Sequence, residues 1–492
     1  MKARIPHEFF LYAQKHNLKS MLKATSKWAF DLYAKPDKEM GKIASYRYFT
    51  SSMQKVMIVQ TRLIDMFYDL VKYNNYGSAN ISSEGSLTLI GLYGNYQNAI
   101  EHTLYNKNDV FLYVYGFFGE QRKIQLNLYF EEFAREKYIL ETISKLPDVQ
   151  YCNIDYSNEF LQQTGLTTDA YSANLFVIFA MFVHFHGFVN KENVRMYFQN
   201  SPIDSSIILS IMDANSASVH EIRKHPLQRQ ALYAKPIVKA DNCYIASNPF
   251  LLLALFANSN FWVLRNKYQQ LNSLAFTNAF GVYFEKYVEE IISRCLQHTD
   301  YLKIPENGKE KRSDWKLKLD SYDMLIEQKS TLPLLRIKQN QPDLEAMKKH
   351  ILKSWGEAVA QLFATERYYQ SKFIKVILVY DEYFKAEALE ELFKLNTDLH
   401  NDGNYWLLNI REFEMLMMLY RNNRPLFNTI MNEKISSETS FSTSGRELAI
   451  FFQQYGITQN DYLTEFGIME EVDRVTRYYI QHEDKGQKLR DT

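Results

Sequence analysis

The sequence predicts an α+β protein: a helix-rich N-terminal region, then a C-terminal α/β domain, then a short helical tail. Three observations carry that reading. Glycine and proline are scarce, 17 and 11 among 492 residues, roughly half their usual shares of about 7% and about 5%, so helix should dominate. The first hundred residues read as helices, with apolar positions at three-and-four spacing from Ser52 to Tyr73. Beyond Gln270 helix-spaced segments alternate with short apolar runs of strand length.

Composition also excludes function classes. Lys plus Arg equals Asp plus Glu, 57 each, so bulk charge cannot hold this chain to nucleic acid and any such contact must be local. Cys152, Cys243 and Cys295 lie far apart with no CxxC pair, which fits no disulfide framework and makes a reducing cytoplasm the expected compartment. Met1 to Leu11 carries Lys2, Arg4, His7 and Glu8, so no secretory leader is expected there. Neither a P-loop, a GxGxxG after a strand nor a GxSxG elbow occurs.

Two stretches, Ala170 to Asn190 and Tyr244 to Leu264, lack Lys, Arg, Asp and Glu. The first holds Asn174, His184 and His186, the second Asn248, Asn258, Ser259 and Asn260, a polar load that suits buried helices better than a lipid-facing span. No membrane partner is expected.

In chain order, Ser52 to Tyr73 reads as a helix with Val56, Val59, Leu63, Phe67 and Leu70 on one stripe. The apolar run Val110 to Tyr115, the turn Gly119 to Arg122 and the alternating Lys123 to Tyr129 predict a β-hairpin. A helix over Glu131 to Leu146 should end at Pro147-Asp148. Ser172 to Val189 reads as a buried helix on which His184 and His186 point apart, core histidines rather than a metal pair. Helices over Asp204 to Met212 and Ala217 to Lys224 precede a hairpin from Lys235 to Ile245. That order is either a winged-helix module, whose second helix can enter a DNA groove, or a helical connector with a structural hairpin. Strands follow at Phe373 to Tyr380 and Tyr405 to Ile410, a linker at Ser436 to Ser444, and a helical pair starting near Arg446 and Asp461. The chain therefore divides into 1–150, 151–268, 269–432 and 445–492.

Chemistry concentrates between Phe280 and Ser330. Asn278 to Cys295 is a predicted helix that places Gly281 and Glu285 one turn apart, with Glu289 a further turn on. Trp315, Leu317 and Leu319 alternate with Lys316 and Lys318 as a half-buried strand; Asp320 to Asp323 turns, and Met324 to Lys329 returns. A period of two puts Leu325, Glu327 and Lys329 on one face of that return strand, with Asp314 at the mouth of its neighbour. Two carboxylates brought together repel unless a hard cation sits between them. A lysine beside them can stabilise charge building on a phosphate, so phosphodiester hydrolysis is the matching reaction. The candidate catalytic set is Asp314, Glu327, Lys329 and Glu285, with Asp314, Glu327 and Glu285 as metal ligands. From Tyr301 to Lys353 there are 12 Lys plus Arg against 8 Asp plus Glu, a local positive surface around this pocket. Leu344 to Phe363 supplies an amphipathic helix, with Met347, Ile351, Trp355 and Leu362 for the sheet.

A helical Glu, then Asp, then Glu-x-Lys after a strand turn, followed by a long helix and another strand, resembles the PD-(D/E)xK superfamily of nucleases. The resemblance covers roughly Leu271 to Met418 and implies a restriction-endonuclease-like domain. It puts the family's metal-binding Asp on Asp314, its second acid on Glu327, its lysine on Lys329 and its helical acid on Glu285. It further implies Mg²⁺ or Mn²⁺ as cofactor, DNA ahead of RNA as partner, and a role in restriction or anti-phage defence. Ser313 stands where the family's name-giving proline would be. The Gln-x-x-x-Tyr element of one branch is approached only loosely, by Gln361 and Tyr368. The N-terminal region is then expected to recognise substrate, a protein partner or a second copy of the chain. The rival expectation is a non-catalytic nucleic-acid-binding or assembly protein on the same scaffold.

Overall fold

The computed structural model describes residues 8–480 apart from 41, 43–51, 74–76, 105–124, 153, 226–229, 306–310, 333–336, 338–342, 382–387, 400 and 439–444. It is α+β, helix-rich in its N-terminal region, with two mixed sheets.

The stripe read between Ser52 and Tyr73 forms the helix Ser52–Lys72, and Val59, Leu63, Phe67 and Leu70 are buried on it. It packs against Leu18–Ala34 and Ser83–Leu104 around a core of its own. The hairpin expected at Val110 to Tyr129 fares differently. Its first strand and turn lie outside the described residues, and from Leu126 onward the second strand is instead the start of the helix Leu126–Glu141. Leu126, Tyr129, Phe130 and Phe133 have helical spacing, and Tyr129 and Phe133 bury on that face. The helix stops at Glu141, and short 3₁₀ turns carry the chain through Pro147.

Thr168–His184 and Pro249–Gln270 are helices with extensively buried faces. Among the described residues no single helix is long and apolar enough to cross a membrane, although Tyr156–Thr164 and Thr168–His184, bent by 52° at their junction, pass that test as a pair. His184 and His186 are not core residues: the helix ends at His184, both rings are exposed, and His186 Nδ1 lies 2.6 Å from Asp31 Oδ1. The apolar run continues past the helix end because Phe188 and Val189 enter a strand, so composition alone ran the helix too far.

The first sheet has four strands, β1 (Phe188–Asn190), β2 (Ser216–Ser218), β3 (Ile237–Ala240) and β4 (Cys243–Ala246), in the order β1-β4-β3-β2. The predicted hairpin is β3–β4, turning through Asp241 at φ +53°. Ala217, expected in a helix, pairs in β2 instead. The helix that follows is only Val219–Lys224; Ile222 is buried, and Arg223 Nε donates to Val71 O at 2.7 Å. It packs on the Ser52–Lys72 helix through Ile222 and Arg223, while His220, Glu221 and Lys224 stay exposed.

The second sheet runs β5 (Tyr301–Lys303), β6 (Trp315–Leu319), β7 (Tyr322–Lys329), β8 (Ile374–Val379) and β9 (Tyr405–Asn409) in that spatial order. The first three form an antiparallel meander, and β7, β8 and β9 are parallel. Alternation assigns the two faces. Trp315, Leu317, Ile326, Val376 and Trp406 join the large core with the helices Ala275–Cys295 and Ile410–Asn422. Leu325, Ile377 and Leu407 join a second core with Met347, Ile351, Trp355 and Leu362, the four residues expected to pack there. The helix Arg424–Glu438 runs through the start of the expected linker, whose remainder lies outside the described residues. The tail is helical, over Leu448–Gln454, Asp461–Glu465 and Glu470–Thr476.

One buried ionic hub ties these parts together. Arg135 grips Glu414 through Nε at 2.6 Å and a second nitrogen at 2.8 Å, and Tyr287 and Asn460 also donate to Glu414. Three separate helices or turns thus converge on one carboxylate of a fourth, with almost no solvent contact. Breaking a buried ion pair by removing one charge costs about 3–5 kcal/mol. Glu414→Gln should therefore lower the denaturant midpoint by an amount equivalent to that figure, whereas the exposed Arg195→Gln should leave it unchanged.

Candidate active site

β7 carries the site, and its strand period decides what faces what. Leu325, Glu327 and Lys329 project to the side covered by the helix Gly356–Tyr369, and Leu325 is fully buried there. Asp314 enters through the ladder just ahead of β6: its N–H donates to Ile326 O at 2.9 Å, and its carbonyl accepts from Ile304 N at 2.8 Å. The Asp314 carboxylate accepts the Gln328 backbone N–H at 2.7 Å, which fixes it against the end of β7. The sheet therefore brings Asp314, Glu327 and Lys329 together.

Their surroundings are dry. Glu327 is 3% exposed. One of its oxygens meets Lys329 Nζ at 2.6 Å, while the other, Oε2, is buried with no hydrogen-bond partner. Burial pushes the Glu327 carboxyl up to about 8, Asp314 adds to the shift, and Lys329 opposes it. Burial likewise pushes Asp314 up to about 6; the Gln328 N–H works against this, and the charge of Glu285 works with it. Two neighbouring acids that both resist ionisation behave as a coupled pair.

Glu285 stands apart. It comes from the Ala275–Cys295 helix, on the opposite face of the sheet, and pairs with Lys303 Nζ at 2.6 Å. Among the described residues Glu285, Asp314 and Glu327 do not close into a set of ligand atoms within 4.8 Å of one another. Glu289 turns to Lys286, 3.0 Å away, and does not substitute for it. Gly281, a turn before Glu285, does run close to the strand end: a Cβ there would lie 3.4 Å from Ser330 Oγ.

Two site residues were poorly signalled by the sequence. Gln361 takes a hydrogen bond from Lys329 Nζ on Oε1 at 3.1 Å and donates from Nε2 to Arg312 O at 3.3 Å. Its spacing to Tyr368 was the only hint. Lys303 gave none, because its role depends on where β5 meets the helix. Ser313 has a local reason for not being proline: its N–H donates to Thr365 Oγ1 at 2.8 Å, a bond proline could not make.

A second acidic group, Glu141, Asp169 and Glu471, does gather within 4.8 Å. It already contains its counterions. Lys137 Nζ is 2.7 Å from both Glu141 and Asp169, and Arg474 reaches all three acids. That network is a structural clamp between the Leu126–Glu141 helix and the tail.

The Asp314 and Glu327 oxygens suit a hard divalent ion. They are carboxylates, one oxygen is buried without a donor, and burial makes both costly to ionise, a cost that a bound cation would offset. No protein-family model matches the chain, and no curated protein or solved structure matches it significantly.

The two raised acids set a pH dependence. A folded-state pKa above the unfolded value contributes stability that is complete below the unfolded pKa and is lost as pH rises through the folded one. In metal-free buffer the thermal midpoint should therefore fall as pH climbs from about 5 to about 8. Glu327→Gln should flatten that decline in a calorimetric pH series.

Proposed function

We propose that this chain is a divalent-metal-dependent nuclease of the restriction-endonuclease-like kind, hydrolysing phosphodiester bonds in DNA ahead of RNA. The observation that carries the reading is the unpartnered, buried Oε2 of Glu327, set beside Asp314 and Lys329 on one face of β7. The element order supports it: a helix bearing Glu285, a meander bearing Asp314 and Glu327, a covering helix, then a parallel strand. That is the order the family resemblance implies.

Asp314, Glu327 and surrounding waters would hold Mg²⁺ or Mn²⁺. When bound, such an ion polarises a phosphate oxygen and lowers the pKa of water. The protein supplies the rest. Gln328 N–H orients Asp314 so that its two oxygens are not equivalent. Gln361, anchored to Arg312 O, holds the Lys329 ammonium at the edge of the acid pair. From there its charge offsets the negative charge that grows on the phosphate as the linkage breaks. Lys303 pairs with Glu285 and offsets part of the charge that this third acid brings near Asp314. Placement in restriction or phage defence is an analogy at the level of fold.

Purified protein should cut DNA only with Mg²⁺ or Mn²⁺ present. Glu327→Ala and Lys329→Ala should each slow cutting by about 10²-fold or more, and unchanged cutting in both would remove these residues from the mechanism. Metal should raise the thermal midpoint, and its apparent affinity should climb with pH by up to about tenfold per unit per proton displaced. A fold that neither cuts nor responds to metal would instead describe a non-catalytic binding or assembly protein.

A further inference from the structure

Beside the acid pair, a strip of alternating cations and rings follows the seam between β6 and the Gly356–Tyr369 helix. The Arg312 guanidinium lies 3.6 Å from the centroid of the Tyr368 ring. Lys316 sits 4.5 Å from the Tyr369 ring and 5.3 Å from that of Phe373. Tyr368 and Tyr369 meet edge to face at 5.1 Å. Arg312 is also the residue whose carbonyl anchors Gln361, and Gln361 in turn holds Lys329. One continuous chain of contacts thus joins the candidate reacting centre to an aromatic ring on the rim.

That ring is poorly spent on the core. Tyr368 is 55% exposed even with Arg312 laid against it. Its neighbours on the same helix face are committed: Gln361 to Lys329, and Thr365 to Ser313. An exposed ring backed by a guanidinium is a flat, cation-polarised surface of the size of a nucleobase. In a duplex the base faces are hidden in the stack; only unpaired nucleotides can lay a face on such a ring.

The geometry points to Tyr368, backed by Arg312, as a base-stacking platform that makes this site act on unpaired nucleotides, namely single strands or frayed ends, rather than on continuous duplex. The inference rests on the nuclease reading for what the neighbouring site does, yet it can be measured without cleavage. Tyr368 would hold the base, and Arg312 and Lys316 lend the strip its positive charge.

The test is fluorescence anisotropy of a short labelled oligodeoxynucleotide, single-stranded or annealed to its complement, with the full chain in metal-free buffer. Tyr368→Ala should weaken single-strand binding by about 5- to 150-fold, the loss of one base–aromatic stack. Tyr368→Phe, which keeps the ring, should bind like the parent. Duplex should bind more weakly than single strand and respond to neither substitution. Equal single-strand binding by Tyr368→Ala and parent overturns the platform, as does duplex preference. A parallel cleavage assay in Mg²⁺ separates the two claims. Tyr368-dependent binding without cutting keeps the platform and removes the nuclease; cutting of duplex and single strand alike, indifferent to Tyr368, does the reverse.

Discussion

A buried Glu327 with the half-buried Asp314 beside it is the constraint around which the C-terminal domain is organised. Glu327 and Asp314 resist ionisation chiefly because burial strips away water; the charge of Asp314 adds to the shift of Glu327, and that of Glu285 to the shift of Asp314. Such an arrangement is unfavourable unless rigid neighbours hold it. The ladder through Asp314, the Gln328 N–H, the Lys329 ammonium and the Gln361 amide all serve that end. The packed face below them, with Leu325 and Trp355 fully buried, denies the strand any freedom to turn its charges outward. Two desolvated carboxyls next to a fixed ammonium make a polar pocket in an otherwise apolar sheet face.

The helices Leu126–Glu141 and Pro249–Gln270 share one core with the C-terminal sheet, while the helices before them pack mainly in a second core. The large core runs without a break from Phe30 through the Leu126–Glu141 and Pro249–Gln270 helices to the sheet and on to Val475 in the tail. Arg135 and Glu414 sit inside it, where the ion pair has to be fully hydrogen-bonded to be tolerated. Tyr287, two residues on from Glu285 in the same helix, donates to Glu414 of that pair. The helix that presents Glu285 is thus tied through Glu414 to Arg135 of the helical region.

Much of the domain was legible because its signals are local. The period of two in Trp315 to Leu319 and again toward Lys329, the apolar run before Tyr380, and the stripe Met347, Ile351, Trp355, Leu362 each depend on one element and one face. Failures came where a pattern served two periods or crossed a boundary. Leu126 to Tyr129 satisfied strand alternation over four residues and helix spacing over eight, and packing of Tyr129 and Phe133 selected the helix. Ala217 was read as helical from its neighbours, but a parallel partner in β3 claimed it for a strand.

The sequence by itself determined that Glu327 and Lys329 share a face with Leu325, since strand geometry leaves no other choice once β7 forms. It also determined that Asp314 stands at the mouth of the preceding strand. Only the tertiary structure decided the partners: Glu285 to Lys303, Lys329 to Gln361, and one Glu327 oxygen to nothing. The physical reason is one of range. Periodicity fixes directions within an element, whereas charge pairing and desolvation depend on what other elements bring within a few ångströms, and no spacing along the chain encodes that.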